Sequence, residues 1–264
     1  MINTLHKYLH KNNLRGKDKL YKILKKIGFQ YKVFDQTDSG IKMYLDPNNY
    51  IDSFILKNGS YEQEVSEELA SDVDADTVIW DIGANIGFHS LTFKKKYPQN
   101  IVFSFEPDYR NFMSLKRNQK LNNLDINLMN FALSDKFSCQ HLFSMDGNHG
   151  MSTITPWHEF NWNKYPHYIL CTSGDFLINN NIAKSPTILK IDVEGHELMV
   201  LKGLENTITK KSIKKIIFET DNNFLKCDSE IKSFLNLFGY RYFKLQRNDA
   251  ATSHSLSNFV AYLN

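Results

Sequence analysis

The chain has 264 residues, a formal net charge of +3, and 42% hydrophobic against 23% charged residues. That balance suits a soluble globular protein with one sizeable core and a small appendage. No apolar run approaches the roughly 20 residues of a membrane span, and the opening Met1–Lys7 lacks the apolar core of a secretory signal, so a cytoplasmic location is the expectation. The three cysteines, Cys139, Cys171 and Cys227, are far apart and odd in number, which indicates neither a disulfide framework nor a zinc knuckle.

Residues 1–32 hold nearly all the excess positive charge, with Lys7, Lys11, Arg15, Lys17, Lys19, Lys22, Lys25, Lys26 and Lys32 against Asp18. Leu20, Ile23, Leu24 and Ile27 recur at helical spacing before Gly28, so the segment predicts a basic amphipathic helix. Such a helix can lie peripherally on an anionic membrane, touch an acidic polymer, self-associate, or pack its apolar stripe on the main domain with its lysines solvated. Tyr31–Phe34 and Ile41–Leu45 alternate around Thr37-Asp38-Ser39-Gly40 as a small hairpin, and Tyr61–Leu69 reads as a short helix. Residues 1–70 therefore form an N-terminal helical and hairpin cap, and 71–264 the main domain.

From residue 77 strands and helices alternate: strand 77–81, helix 87–96, strand 101–105, helix 109–121, strand 126–131. Alternation of this kind argues a parallel sheet with crossover helices. The first strand runs into Asp81-Ile82-Gly83-Ala84-Asn85-Ile86-Gly87, where two glycines permit a tight turn and close ligand approach. A pyrophosphate would be repelled by Asp81, and Asn85 stands where a dinucleotide loop would carry another glycine. S-adenosyl-L-methionine has no phosphate and carries a sulfonium and an ammonium, so a carboxylate beside the loop favours it. The alternative is a plain β-to-α turn whose acid offsets the helix dipole.

The next strand closes on Glu106-Pro107, with Asp108 placed to cap the following helix. An acid at the end of the second strand is where α/β nucleotide folds hold ribose hydroxyls, which makes Glu106 the ribose candidate. The rhythm breaks over 136–186, a stretch rich in Trp157, Trp162, His149, His158 and His167, which suits an insertion over the ligand face and the substrate-recognition region. Its aromatics either stack on ring-shaped ligands or fill a local core. The pattern resumes with Thr187–Gly195, a helix from His196 through Ile208, a strand over 213–219, a helix stopping at Gly239, and strands over 241–245 and 259–263. The order suits a seven-stranded, mostly parallel sheet whose last strand runs antiparallel.

Taken together, Asp81–Gly87, Phe105-Glu106-Pro107-Asp108, Asn130-Phe131-Ala132-Leu133-Ser134-Asp135 and Leu189-Lys190-Ile191-Asp192-Val193-Glu194-Gly195-His196-Glu197 resemble the FkbM family of S-adenosylmethionine-dependent methyltransferases. The resemblance covers about residues 61–245. It implies an α/β, Rossmann-like class I methyltransferase fold with helices on both faces of the sheet. It also implies that Asp81, Gly83, Ala84, Asn85 and Gly87 cradle the methionine part of the cofactor, that Glu106 holds the ribose, and that Phe131, Ala132 and Asp135 border the adenine. Ser90, in the first turn after Gly87, is a candidate for the cofactor's carboxylate. One departure stands out: Thr172-Ser173-Gly174-Asp175 lacks the family's leucine, and Gly174 falls where an acid is expected, which points to a different acceptor.

On an extended strand Lys190, Asp192 and Glu194 point to one side, at an end that opens onto the ligand crevice. Asp192 and Glu194 are candidates for the general base or for acceptor binding, and His196 is a third because its ordinary pKa suits proton transfer near neutrality. Each has a structural alternative: Asp192 orients the ammonium, Glu194 caps the helix, and Lys190 is their charge partner. Two acids on one strand are weak evidence for a divalent cation, so no metal is assigned. The resemblance favours an O-methyltransferase acting on a small-molecule or glycan hydroxyl; an RNA or protein methyltransferase and a non-catalytic S-adenosylmethionine-binding protein are the alternatives. No run of interleaved basic and aromatic residues marks the core domain, which disfavours nucleic acid.

Overall fold

The computed structural model describes residues 33–46, 49–145, 148–156, 162, 166–226, 228–246 and 256–264. The basic helix expected before Gly28, Trp157, His158 and Cys227 lie outside the described residues. The chain divides into two compact units, one ending at Tyr61 and the other running from Glu62 to Asn264.

In the first unit β1 (Val33–Gln36) and β2 (Lys42–Leu45) pair antiparallel. The turn between them closes through Thr37 N–H to the Ile41 carbonyl at 2.9 Å, with Gly40 supplying the left-handed backbone at φ 78°. A helix absent from the sequence reading follows, α1 (Tyr50–Asn58), which buries Ile55 and Leu56 and stops at the left-handed Gly59. Asn49 makes no side-chain cap on this helix, so one of the strongest local start signals is missing.

The second unit opens with α2 (Gln63–Leu69), which the sequence reading grouped with the cap. Next come β3 (Val78–Ile82), α3 (Phe88–Lys96), β4 (Ile101–Phe105), α4 (Tyr109–Asn122) and β5 (Asn127–Met129). After the interruption the unit continues with β10 (Ile188–Ile191), β11 (Lys215–Asp221), α8 (Glu230–Leu237), β12 (Tyr240–Lys244) and β13 (Leu256–Leu263). These strands form one sheet in the order β12-β13-β11-β10-β3-β4-β5. The pairs from β11 across to β5 are parallel, and β13 runs antiparallel between β11 and β12. The sheet is thus mixed, with the last strand reversed as the pattern predicted.

Every residue of β3 is buried. Its alternate residues Val78, Trp80 and Ile82 join Leu189, Ile191, Ile216 and Phe218 in the main core, covered by Leu201, Leu204, Ile208, Phe234 and Leu235. The opposite face carries Asp81 and Lys215, which meet Ser90 of α3 and Glu68 of α2. Helices therefore pack on both faces. The chain builds β3, β4 and β5 in one direction and then returns to add β10 beside β3. The crevice outside the C-terminal ends of β3 and β10 is a topological switch point, where open α/β sheets bind ligands.

The interrupted stretch has regular structure of its own, a four-stranded sheet of β6 (Ala132–Leu133), β7 (Ser138–Met145), β8 (Asn148–Thr153) and β9 (His167–Thr172), followed by α5 (Gly174–Asn179). Leu142, Ile169 and Cys171 are buried on one side while Tyr168 and Leu170 are exposed on the other, the period-two pattern of a half-buried sheet. The single helix expected from His196 through Ile208 is two, α6 (Glu197–Lys202) and α7 (Glu205–Thr209). The break falls at Gly203, where a Cβ would overlap the carbonyl oxygen of Ser134.

Candidate active site

Gly83 follows β3 with φ 79°, and a Cβ there would collide with the carbonyl oxygen of Asp192. Only glycine lets the loop lie this close to the turn after β10. Gly83 and Ala84 both donate to the Phe105 carbonyl, at 2.9 and 3.0 Å, which bends the chain over the end of β4. Asn85 is left-handed at φ 51°, and Gly87, at φ 90°, begins α3 with Leu115 filling the space of its missing side chain.

Glu106 is fastened to this loop. One carboxylate oxygen accepts the Asn85 N–H at 2.7 Å and the other accepts the Asp108 N–H at 2.8 Å. The side chain is 4% exposed, and burial, with the nearby Asp108 charge adding to it, outweighs these donors and pushes its pKa up to about 8. When ionised, each oxygen keeps a second lone-pair direction, so the group has acceptor capacity for two hydroxyl donors. Asp108 caps α4 as predicted, accepting the Arg110 N–H at 2.9 Å.

Asp81 and Ser90 sit differently from expectation. The Asp81 carboxylate is 1% exposed, with Oδ2 accepting from the Ser90 hydroxyl at 2.5 Å and Oδ1 3.2 Å from Lys190 Nζ. Ser90 also contacts the Ser104 hydroxyl at 2.7 Å. Asp81 is therefore turned into the fold, and Ser90 bonds it from α3 instead of facing a ligand carboxylate. Lys190, in register with Asp81 on the neighbouring strand, also lies 3.3 Å from Asp192 Oδ2 and donates to the Gly83 carbonyl at 3.3 Å. Burial opposes its charge, but Asp81 and Asp192 win and raise its pKa.

The alternation expected for Lys190, Asp192 and Glu194 ends early, because β10 stops at Ile191 and Glu194 is left-handed at φ 54°. The turn still gathers acids. Asp192, Glu194 and Glu219 of β11 place carboxylate oxygens within 4.8 Å of one another, a set of hard donors of the kind that also assembles without a metal. Burial raises the pKa of Asp192, and burial with the charges of Asp192, Glu197 and Glu62 raises Glu194 to about 8. Glu194 does not cap α6: Glu197 accepts the Gly195 N–H at 3.0 Å, while Glu194 Oε2 is buried with no hydrogen-bond partner among the described residues.

His196 belongs to another wall. Its Nε2 meets the Ser134 hydroxyl at 2.9 Å, and that hydroxyl donates to Asp135 at 3.1 Å. Burial lowers its pKa, with Asp135 pulling the other way. Phe131 packs on Phe105 at 5.9 Å between ring centres, Ala132 is buried in β6, and Asp135 is exposed. The acid expected near Gly174 is present one residue later: Asp175 is buried and accepts the Asn206 and Thr207 N–H groups at 2.8 and 3.0 Å, so it caps α7. Gly174 itself lies against Leu204 and Trp80, which leave no space for a side chain.

The inserted sheet bridges the two strand-end loops. Thr153 of β8 donates to the Glu194 carbonyl at 2.7 Å, while Ser152 and, through Arg110, Ser144 bond the Asp108 cluster. Sequence reasoning missed Glu62 and His89. Glu62, 6% exposed, has its Oε2 3.6 Å from His89 Nε2, and His89 Nδ1 meets the Ser66 hydroxyl at 3.0 Å. Only the packing of α2 beside α3 brings this acid to the cleft; the one local signal was an isolated glutamate before an acidic helix.

A ligand suited to this cleft brings positive charge and a pair of hydroxyls. The charges of Glu62, Asp192 and Glu194 act on Lys190 there, with Glu197 acting on Glu194, and the repulsion among these acids and their burial favour a cation. S-adenosylmethionine, with an ammonium, a sulfonium and a ribose diol, fits that donor set.

Comparison with known proteins places these residues in context. The profile described as Methyltransferase FkbM domain matches residues 81–242. The hexuronic acid methyltransferase AglP of Haloferax volcanii is 31% identical over 162 residues, covering 60% of this chain and 62% of that protein. Methyltransferase 1 of Beauveria bassiana is 30% identical over 154 residues, covering 50% of this chain and 59% of that protein. The chain thus spans less than two thirds of the length of these relatives. Among solved structures, the tRNA (uracil-54, C5)-methyltransferase of Pyrococcus abyssi in complex with S-adenosyl-L-homocysteine aligns with a TM-score of 0.49 at 13% identity, covering 89% of this chain and 45% of that one. The profile match runs from Asp81 to Tyr242 through the glycine loop, Glu106 and the Asp192–Glu197 turn, and the chain belongs to the FkbM methyltransferase domain family.

Proposed function

We propose that this protein is an S-adenosylmethionine-dependent O-methyltransferase whose acceptor is a hydroxyl of a sugar or glycan precursor. The observation that carries the reading is the joining of the glycine loop to Glu106 through Asn85, one strand away from the acidic turn at Asp192–Glu194. When bound, the cofactor supplies a methyl group on a positively charged sulfur. Glu106 holds the ribose diol, the Gly83–Gly87 backbone carries the methionine part, and Phe131, Ala132 and Asp135 border the adenine.

Glu194 is the general base in this reading. A neutral hydroxyl must lose its proton as it attacks, and a base works best with a pKa near the working pH. Burial and the surrounding carboxylates hold Glu194 near 8, and its buried Oε2 has no hydrogen-bond partner among the described residues to compete for the proton. Asp192, bridged to Lys190, orients the turn; His196, engaged by Ser134, belongs to the adenine side. The sheet bonded across the cleft through Thr153 and the Asp108 cluster supplies the acceptor wall. Support for a carbohydrate acceptor comes from the relative whose name is hexuronic acid methyltransferase.

The test is transfer of labelled methyl from S-adenosylmethionine to sugar nucleotides and uronic-acid oligosaccharides, with RNA as the competing acceptor. Glu194→Gln is expected to keep S-adenosylhomocysteine binding while losing about 10²- to 10⁴-fold in turnover. Full turnover in that variant would remove Glu194 from the role, and transfer to RNA alone would overturn the acceptor assignment.

A further inference from the structure

The acid that the glycine-loop sequence offers to a cation is already committed. Asp81 is enclosed and held by Ser90 and Lys190, and Asp192 Oδ2 faces the same lysine. A ligand ammonium approaching the loop therefore needs another carboxylate.

Glu62 meets that need from outside the loop. It precedes α2 at φ 42° and ψ 63°, a region that residues with a Cβ seldom occupy, and its side chain makes no cap bond to its own helix. The carboxylate instead reaches His89, the second residue of α3 and two residues after Gly87. Ser66 holds the other nitrogen of that ring. From this position the Glu62 charge acts on Lys190, Asp192 and Glu194 across the cleft, raising all three. It is a nearly buried acid beside the first turn of the loop helix, with its charge felt at the acidic turn after β10.

We infer that Glu62 is the receptor for the cofactor's α-ammonium group, with His89 as the positioning residue that holds it at the loop. The inference rests on the reading of this cleft as an S-adenosylmethionine site. An ammonium has three N–H donors and suits a carboxylate acceptor, whereas the sulfonium has none and responds only to charge.

The experiment is calorimetric titration of wild type, Glu62→Gln and Glu62→Asp with S-adenosylhomocysteine and, separately, with 5′-methylthioadenosine, which shares the adenosine thioether but lacks the amino-acid part. Glu62→Gln is expected to weaken S-adenosylhomocysteine binding about tenfold or more, the loss of one charge-assisted hydrogen bond, and to leave 5′-methylthioadenosine binding unchanged. Glu62→Asp should recover part of the loss. Unchanged S-adenosylhomocysteine affinity in Glu62→Gln overturns the inference, and so does an equal loss for both ligands, which would mark a role in the fold alone. A wild type that binds neither ligand overturns the underlying cofactor reading instead.

Discussion

Glu106 offers the sharpest quantitative test because its burial and its proposed ligand act in opposite directions on its proton. The folded protein holds this carboxyl at about 8, above the ordinary carboxylate range, so the unliganded fold prefers the protonated form at neutral pH. Ribose hydroxyls donate, and they bond best to the ionised form. At pH 7, one unit below that pKa, about a tenth of the molecules carry the anion, and binding must discharge the remaining proton at about 1.4 kcal/mol, or tenfold in affinity. The sign follows directly: affinity for S-adenosylhomocysteine rises as pH is raised through 8 and levels off above it. The contribution of Glu106 to unliganded stability runs the other way, present in full below its unfolded pKa and lost as pH rises through 8. Titration calorimetry between pH 6.5 and 9, in buffers of differing ionisation enthalpy, should show proton release on binding near pH 7. In Glu106→Gln that component should vanish and affinity should fall about tenfold at pH 7 and more at pH 9. The same pH slope in the variant as in wild type would refute the argument.

Two substitutions test the scaffold below the cleft. Lys190→Met leaves Asp81 as a buried charge without its counter-ion, and the expected loss is about 3–5 kcal/mol in chemical denaturation; a loss below about 1 kcal/mol would show that Ser90 alone satisfies Asp81. Gly83→Ala forces a side chain into a left-handed position against the Asp192 carbonyl, costing at least about 1–3 kcal/mol from the backbone alone and abolishing S-adenosylhomocysteine binding. A melting temperature equal to that of wild type would show that the loop and the β10 turn can separate.

Much of this architecture was legible from local chemistry. Apolar runs ending on Asp81 and Glu106, each followed by a helical pattern, were enough to predict β3, β4 and their helices to within a residue or two. The reversed final strand was legible because two short alternating segments follow the last helix. Side-chain direction was harder. Asp81 reads as a ligand-facing acid because a sequence does not display the lysine on the neighbouring strand that turns it inward. Glu194 reads as the next residue of an alternating strand because nothing local announces that the chain becomes left-handed there. Glu62 could not be found by spacing at all, since its relation to the cleft exists only once α2 lies against α3. The inserted sheet was hidden for a similar reason: its buried side is only a few residues wide, so polar and aromatic neighbours mask the period of two.

The notch at Gly203 has a consequence for heredity and for engineering. The Ser134 carbonyl occupies the space of the missing side chain, and the Ser134 hydroxyl in turn holds His196 at the other end of the same helix. A single added methyl at position 203 would thus displace the Ser134 turn, the proposed adenine side of the site, and its histidine together. Selections for altered cofactor preference in this chain should recover position 203 as a remote modifier, and a lesion there would present as poor cofactor affinity although its origin lies in packing.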